Sequence, residues 1–153
     1  MHTAVADRDE HDARPDADER DALTRSERGA LERSVAAAGL AGDVTFTGYV
    51  EHPERILGAF DVFALSSDTE QMPLSILEAM AAGLAVATTD AGDIRHMLSA
   101  GNQAFVVPKS APALAAALTK LLDAPDARAT IGAANRAKAI KDFDGAVILN
   151  SYR

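Results

Sequence analysis

The most constraining feature of the sequence is the stretch from residue 61 to residue 83, where an apolar strand, a polar turn and an amphipathic helix follow one another. The run Asp61-Val-Phe-Ala-Leu is short and apolar with β-branched and aromatic members, as is typical of a buried strand in a parallel sheet. Pro73 then favours a first helical turn. Apolar residues recur at helical spacing up to Gly83, namely Leu74, Leu77, Met80 and Ala81. This order predicts one strand-turn-helix unit of an α/β protein.

A similar alternation runs through the rest of the chain. Four apolar runs have the length and composition of strands, at residues 44–47, 61–65, 84–89 and 103–108. Helical patterns accompany them at about residues 24–38, 52–60, 93–98, 110–123 and 125–141. A capping box at Thr24 and Glu27 predicts the start of the first helix. The sequence therefore predicts an α/β fold, with a Rossmann-like parallel sheet of about four strands flanked by helices.

The first 22 residues differ in composition from the remainder. They contain eight acidic and three basic residues and almost nothing large and apolar. Such a segment cannot bury enough surface to offset its ordering entropy, so we predict that residues 1–22 are a disordered acidic tail. The length of 153 residues leaves room for one domain with a real core, which we assign to residues 23–153.

Composition also excludes several classes of function. The formal net charge of −8 is not offset by a basic cluster, which argues against a nucleic-acid or anionic-membrane surface. No apolar run approaches the ~18 residues of a membrane span, no secretory signal is visible, and there is no cysteine. We therefore expect a cytoplasmic protein without a transmembrane segment. The D-x-D sequences at residues 7–9, 16–18 and 142–144 follow no convincing strand, so we predict no metal site.

Glu70 and Glu78 flank the start of the helix predicted after Pro73. At ~1.5 Å per residue, their backbones lie at most about 12 Å apart. The N–H groups near the helix start and the positive end of the helix dipole suit an anion such as a phosphate. Carboxylates accept hydrogen bonds from hydroxyls, so a nucleotide-sugar, with hydroxyl-bearing groups on both sides of a diphosphate, fits this arrangement. The alternative is that Glu70 caps the helix and Glu78 is an ordinary solvated side chain.

Five sequence blocks occur in the order found in one enzyme family. They are V-T-F-T-G-Y-V (44–50), D-V-F-A-L-S-S (61–67), E-Q-M-P-L-S-I-L-E-A-M-A-A-G (70–83), A-V-A-T-T-D-A-G-D (85–93) and A-F-V-V-P (104–108). The stretch from residue 44 to about residue 122 resembles the C-terminal, donor-binding half of retaining GT-B glycosyltransferases of family 4, also called group 1. Glu70 and Glu78, with seven residues between them, match the E-x7-E motif of that family.

The resemblance implies a role for each matched residue. Glu70 would be the catalytic residue and hydrogen-bond the donor hexose, and Glu78 would bind the ribose hydroxyls. The backbone after Glu70 would contact the diphosphate. The residues of the predicted binding set are therefore Glu78, Gln71, Met72, Pro73 and Leu74, with Ser67 at the strand end and Tyr49 and Val50 near the nucleotide base. The nucleotide-sugar is the substrate, and no cofactor is expected.

The family's donor domain also has features that the sequence before residue 44 does not supply. These are two further strands, a basic residue for the diphosphate and a glycine turn. In the family order 3-2-1-4-5-6, the two missing strands lie between the strands predicted at residues 44–47 and 61–65, so either these two strands pair directly or another polypeptide fills the gap. The acceptor lobe, which orients the nucleophile, has no counterpart either. We therefore interpret residues 23–153 as a truncated donor-binding domain of a glycosyltransferase, inactive as an isolated chain, which a second chain supplying the N-terminal lobe would complete.

Two other functions fit less of the sequence. A non-catalytic module that binds nucleotide-sugars, or that completes another subunit through its open sheet, would use the same residues without transferring a sugar. A nicotinamide-binding Rossmann domain is disfavoured, because no G-x-G-x-x-G follows any predicted strand.

Overall fold

The computed structural model describes the chain from Ala17 to Phe143, with side chains from Glu27 onward. The described residues divide after Val50 into two compact units. The predicted tail up to residue 16 and the final residues 144–153 lie outside the described part. The elements in chain order are α1 (Ala17–Ala37), α2 (Glu54–Leu57), β1 (Val62–Leu65), α3 (Leu74–Ala81), β2 (Ala85–Thr89), α4 (Ile94–Met97), a 3-10 helix (Ala100–Phe105), β3 (Val106–Val107), α5 (Ala111–Leu122) and α6 (Pro125–Phe143).

The first unit contains α1 and the segment that follows it. The helix begins before Thr24, so the predicted start at the capping box is wrong, and residues 17–22 are helical although we assigned them to the tail. It ends as predicted near Gly39, which has a left-handed φ of +74° while the Leu40 N–H donates to the carbonyl of Val35 at 3.0 Å. Arg28, on α1, donates to the Phe46 carbonyl at 3.3 Å.

The strand predicted at residues 44–47 is absent from the described structure. Val44 is 39% exposed, and the sheet consists of β1, β2 and β3. A period-two pattern makes a strand only where a neighbouring strand takes its backbone hydrogen bonds. The described sheet therefore has three strands and not about four.

The three strands form a parallel sheet in the order β1-β2-β3. Val62 is paired with Ala85 and Leu65 with Thr88, while Thr88 is also paired with Val106. Every residue of β2 is buried, as expected of a central strand covered on both faces. This confirms the predicted α/β class, and the order agrees with the last three strands of the doubly wound family topology.

Successive residues of β2 contribute to two apolar clusters, because side chains alternate between the faces of a strand. Val86 lies in a cluster with residues of α3, α4 and α6. Ala85 and Ala87 lie in a second cluster with Ala117 and Leu121 of α5. Fully burying one large aliphatic side chain stabilises the fold by about 1.5–3 kcal/mol, so residues such as Leu121 account for much of the stability.

A buried polar network fixes the backbone of β2 between these clusters. The side chain of Asn102, which is 0% exposed, accepts from the Val86 N–H at 2.9 Å and donates to the Val86 carbonyl at 2.7 Å. Asn135 is also 0% exposed and donates to Asn102 Oδ1 at 2.7 Å and to the Leu84 carbonyl at 2.9 Å. It accepts from the Ser99 hydroxyl at 2.7 Å. The Asn102 side chain thus occupies the place of a neighbouring strand beside Val86, where β3 is too short to pair.

Candidate functional site

The polar turn between β1 and α3, at residues 66–73, carries most of the predicted site. Ser67 is buried, and its carbonyl accepts a hydrogen bond from the Thr89 hydroxyl at 2.5 Å. Glu70 is half-buried, whereas the side chains of Gln71 and Met72 are exposed. The backbone of the turn is therefore fixed by a hydrogen bond at Ser67, whereas the side chains of Gln71 and Met72 face solvent.

A second turn, between β2 and α4, supports this one at Gly92. Gly92 has φ +53°, and a Cβ added to it would lie 1.9 Å from the Glu70 carbonyl oxygen and 2.9 Å from that of Gln71. The Asp93 N–H donates to the Gln71 carbonyl at 3.0 Å. The close backbone approach requires a residue without a side chain, so glycine is needed for contact as well as for the turn conformation.

Pro73 is the N-cap residue of α3, with φ −69° and ψ 123°, and its side chain is buried. Glu70 is therefore not the N-cap, which was one alternative role for it. An α-helix leaves its first N–H groups without partners inside the helix, and its dipole is positive at that end. The start of α3 therefore has the chemistry to attract an anion beside the turn.

Helix α3 buries Met80 and packs Leu77 against the core as predicted, but Ala81 is exposed and two further residues are buried. Ile76, Ala79 and Met80 are buried, while Leu74 is 70% exposed. Leu74 lies in the first turn of the helix, next to the exposed residues of the polar turn, so its side chain does not reach the core. Its predicted place in the core is therefore wrong, and its role in binding stays a prediction.

Glu78 is half-buried on α3 and faces a groove between α3 and α6. The groove has a volume of about 320 Å³, and it is lined by Leu77, Glu78, Ala81, Ala139, Ile140 and Phe143. Glu78 is the one charged residue of this otherwise apolar lining, which includes no residue of the polar turn. The two glutamates therefore lie on one continuous segment, with Glu70 in the polar turn and Glu78 in the lining of the groove.

Tyr49 and Val50 belong to the first compact unit, and the other predicted site residues belong to the second. Tyr49 is 76% exposed and Val50 is half-buried. Their role beside the base stays a prediction.

The nearest cation after β2 is Arg95, and its guanidinium is already engaged. It donates to the Asp90 carboxylate at 2.7 Å, to the Val106 carbonyl at 2.9 Å and to the Gln103 carbonyl at 3.2 Å. These bonds join α4 to the 3-10 helix and to the first residue of β3. The Arg95 guanidinium therefore already has three partners within the described fold.

Within residues 27–143, where side chains are described, no group of three or more histidine, aspartate or glutamate residues could hold a metal ion. Asp142, from the last D-x-D sequence, accepts a hydrogen bond from Lys138 at 2.6 Å, and this bond holds the pKa of the Asp142 carboxyl below its usual value. None of the described helices combines the length and apolar character that a membrane crossing requires.

The sequence profile described as "Glycosyl transferases group 1" matches residues 22–124, a span that includes both glutamates and all three strands. The chain belongs to the group 1 glycosyl transferases. This confirms the family inferred from the five sequence blocks.

Individual relatives agree with this assignment. The chain is 33% identical over 112 residues to the 2-deoxystreptamine N-acetyl-D-glucosaminyltransferase of Streptomyces fradiae, which covers 71% of the chain and 27% of that protein. It is 30% identical over 101 residues to the alpha-D-kanosaminyltransferase of Streptomyces kanamyceticus, covering 64% of the chain and 26% of that protein. The sucrose-phosphate synthase of Thermosynechococcus elongatus matches the fold with a TM-score of 0.74 and 29% identity, over 83% of the chain and 33% of that structure. The chain thus spans about a quarter to a third of these proteins.

Sequence reasoning located the turn and both glutamates but missed what holds the turn. Thr89 received no role, although a polar residue at the end of a fully buried strand was a signal that its hydroxyl has a specific partner. The partner of Gly92 could not be named from the sequence, because the Glu70 carbonyl is more than 20 residues away.

Proposed function

We propose that this chain carries the donor-binding part of a retaining glycosyltransferase that uses a nucleotide-sugar. The observation that supports the proposal best is the fastened turn that presents half-buried Glu70 beside the start of α3. It follows the carboxyl end of β1, and ligands of open parallel α/β sheets bind beyond the carboxyl ends of the strands. Membership of the group 1 family supplies the substrate class.

In this proposal the donor lies across the turn and the first two turns of α3. Glu70 accepts hydrogen bonds from hydroxyls of the hexose, and Glu78 accepts them from the ribose. Backbone N–H groups of Gln71, Met72 and Leu74 face the diphosphate. Pro73 has no N–H, so its part is to set the direction in which the helix begins. Ser67 is buried at the start of the turn, where its carbonyl accepts the hydrogen bond from Thr89.

Calorimetric titration tests the placement of the two glutamates. The ligands are UDP, UDP-glucose and UDP-N-acetylglucosamine, the last chosen because the S. fradiae relative is named as an N-acetylglucosaminyltransferase. We expect Glu78→Gln to weaken binding of all three, and Glu70→Gln to weaken binding of the two sugars only. Loss of one hydrogen bond to a charged acceptor should cost ~1.5–3 kcal/mol. The exposed Glu54, on α2, provides the control Glu54→Gln.

Unchanged affinities in both variants would show that the donor does not lie along this segment. Loss of wild-type binding on addition of a chelator would contradict the metal-independent site proposed here. Either result would remove the basis for the residue roles, although the chain would remain a member of the family.

We also propose that the chain alone does not transfer sugar. Glu70 and Glu78 are anionic, so neither offsets the charge that develops on the leaving diphosphate. A helix N-terminus contributes up to ~2 kcal/mol, whereas enzymatic acceleration requires about 8 kcal/mol or more of barrier lowering. Arg95 is engaged elsewhere. The remainder would come from a basic residue and an acceptor lobe that the described residues do not supply.

A radiolabelled-donor assay on the purified chain with a mixed acceptor pool measures this directly. We expect background transfer and background donor hydrolysis. Turnover that disappears in Glu70→Ala would show that these residues suffice for catalysis, and would contradict this proposal.

The second candidate is a non-catalytic module that binds nucleotide-sugars or completes the sheet of another subunit. It is favoured by β1, whose residues Val-Phe-Ala-Leu carry no charge and which pairs only with β2 in the described sheet. An apolar edge strand is a template for another chain. Donor binding with no transfer even after an acceptor lobe is added would favour this candidate. The cytoplasmic location stays a prediction under both.

A further inference from the structure

We infer that the β2–α4 turn positions Glu70 for the donor hexose, with Gly92 as the positioning residue and Thr89 as its support. This inference rests on the proposed function, since it concerns the same turn. Three contacts carry it: the Thr89 hydroxyl donates to the Ser67 carbonyl at 2.5 Å, the Asp93 N–H donates to the Gln71 carbonyl at 3.0 Å, and Gly92 packs against the Glu70 carbonyl.

All three contacts act on backbone carbonyls of the polar turn, at positions 67, 70 and 71. They therefore fix the path of the backbone through Glu70 without engaging its carboxylate. A carboxylate held in this way keeps its oxygens for a ligand, while its position is set by the packing behind it. This arrangement suits a carboxylate that must accept hydrogen bonds from a sugar. The backbone that carries it is already ordered before the ligand binds, so less entropy is lost on binding.

The space around Gly92 does not admit a side chain. A Cβ there would lie 1.9 Å from the Glu70 oxygen and 2.7 Å from its carbonyl carbon, which are backbone atoms that cannot rotate away. Its φ of +53° is also strained for other residues. Any side chain at position 92 therefore displaces the backbone at Glu70. Glu78 lies on α3, outside these contacts. The displacement should therefore weaken binding of the hexose more than binding of the ribose.

The experiment measures the sugar increment, defined as the ratio of the affinities for UDP-glucose and UDP, or for UDP-N-acetylglucosamine and UDP. We expect Gly92→Ala to reduce the increment roughly tenfold or more. The UDP affinity should fall by less, because the clash reaches the Gln71 carbonyl but not the ribose-binding Glu78. In the Gly92→Ala background, Glu70→Gln should have no further effect, whereas Glu78→Gln should keep its full effect. Gly58→Ala is the control, because nothing lies within 4 Å of its added Cβ and its φ is −65°.

Thr89 provides a second pair of variants that does not depend on tolerance of alanine at position 92. Thr89→Val removes the hydroxyl and should lower the sugar increment. Thr89→Ser restores the donor to the Ser67 carbonyl and should recover it. A purely structural role would lower the melting temperature without this selective loss and without the coupling to Glu70.

A Gly92→Ala protein that keeps the sugar increment, while Glu70→Gln loses it, would overturn the inference and leave the proposed function standing. If Gly92→Ala does not fold, equal increments in Thr89→Val and the wild type would overturn it instead. A wild-type chain that binds no nucleoside diphosphate and no nucleotide-sugar would overturn the proposed function and this inference with it.

Discussion

Near each end of strand β2, a glycine packs against a backbone carbonyl, but the two contacts stabilise different parts of the molecule. Before β2, a Cβ on Gly132 would lie 1.9 Å from the carbonyl oxygen of Gly83. After β2, a Cβ on Gly92 would lie the same distance from that of Glu70. The first contact joins helix α6 to the end of α3, and the second joins two turns.

The surroundings show what each contact achieves. Gly132 is buried in α6, in the same helix as the buried Asn135 that bonds to the Leu84 carbonyl. Gly92 is exposed, in a turn whose partner carries the exposed Gln71. The amino end of β2 is thus fixed for stability. After the carboxyl end, the contacts fix only the backbone of the polar turn. The side chains of that turn remain available for a ligand.

The largest effect should come from breaking the network at the amino end with Asn135→Ala. The Leu84 carbonyl and the Ser99 hydroxyl would lose their buried partner. Each buried polar group left unpaired costs about 1–3 kcal/mol, so we expect a loss of about 2–4 kcal/mol in the free energy of unfolding. Thr130→Ala, on the same helix but exposed, should change stability by less than about 0.5 kcal/mol. Urea unfolding compares the two, and similar midpoints would refute a structural role for the network.

Gly132→Ala should have the next largest effect. The new methyl group meets a carbonyl oxygen within two packed elements, and overpacking typically costs 1–3 kcal/mol. The same substitution at the open position, Gly58→Ala, should be neutral or slightly stabilising. Equal unfolding free energies for the two variants would mean that α6 can shift, and that the close approach is not required.

Gly92→Ala should destabilise the fold less than Gly132→Ala, because the exposed turn can move away from the clash. The left-handed backbone alone costs roughly 1–2 kcal/mol for a residue with a side chain. Thermal unfolding of both variants under one set of conditions tests the ranking. The reverse order would show that the carboxyl end of β2 also supports the core, which would weaken the distinction between the two ends.

The smallest effect should be the dependence of stability on pH at Asp142, near the end of α6. Its bond from Lys138 lowers its pKa in the folded state, so the pair stabilises the protein above the unfolded pKa and loses this effect as pH falls through the folded pKa. We expect wild type and Asp142→Asn to differ slightly at neutral pH and to converge below about pH 4. A difference that grows on acidification would have the wrong sign for this explanation.

The strands β1 and β2 and the helix α3 could be predicted because each carries its own local pattern. Residues 44–47 carry a similar pattern, but a strand also needs a neighbour, which a local pattern cannot supply. The network between Asn102 and Asn135 joins positions 33 residues apart and leaves no periodic signal. Gly132 is likewise invisible, because a glycine within a helical run gives no indication of the Gly83 carbonyl beside it.

The same limit applies to the candidate site. Glu70 and Glu78 could be placed at the turn and on the helix from sequence spacing and from the family motif. The contacts that hold the turn come from Thr89 and Gly92, after a different strand. They depend on the register between β1 and β2, and no single stretch of sequence contains that information.

Amide NMR of the labelled chain during a titration with UDP-glucose tests the central claim most directly, because it reports where the ligand lies. We predict that the largest shift changes occur at the amides of Gln71, Met72 and Leu74, with smaller changes at Gly92 and none at Gly58. UDP without the sugar should still shift the amide of Leu74 while leaving Glu70 nearly unchanged. Saturable shifts confined to residues outside the turn and α3, or no shifts at all, would contradict the assignment of this segment as the donor site.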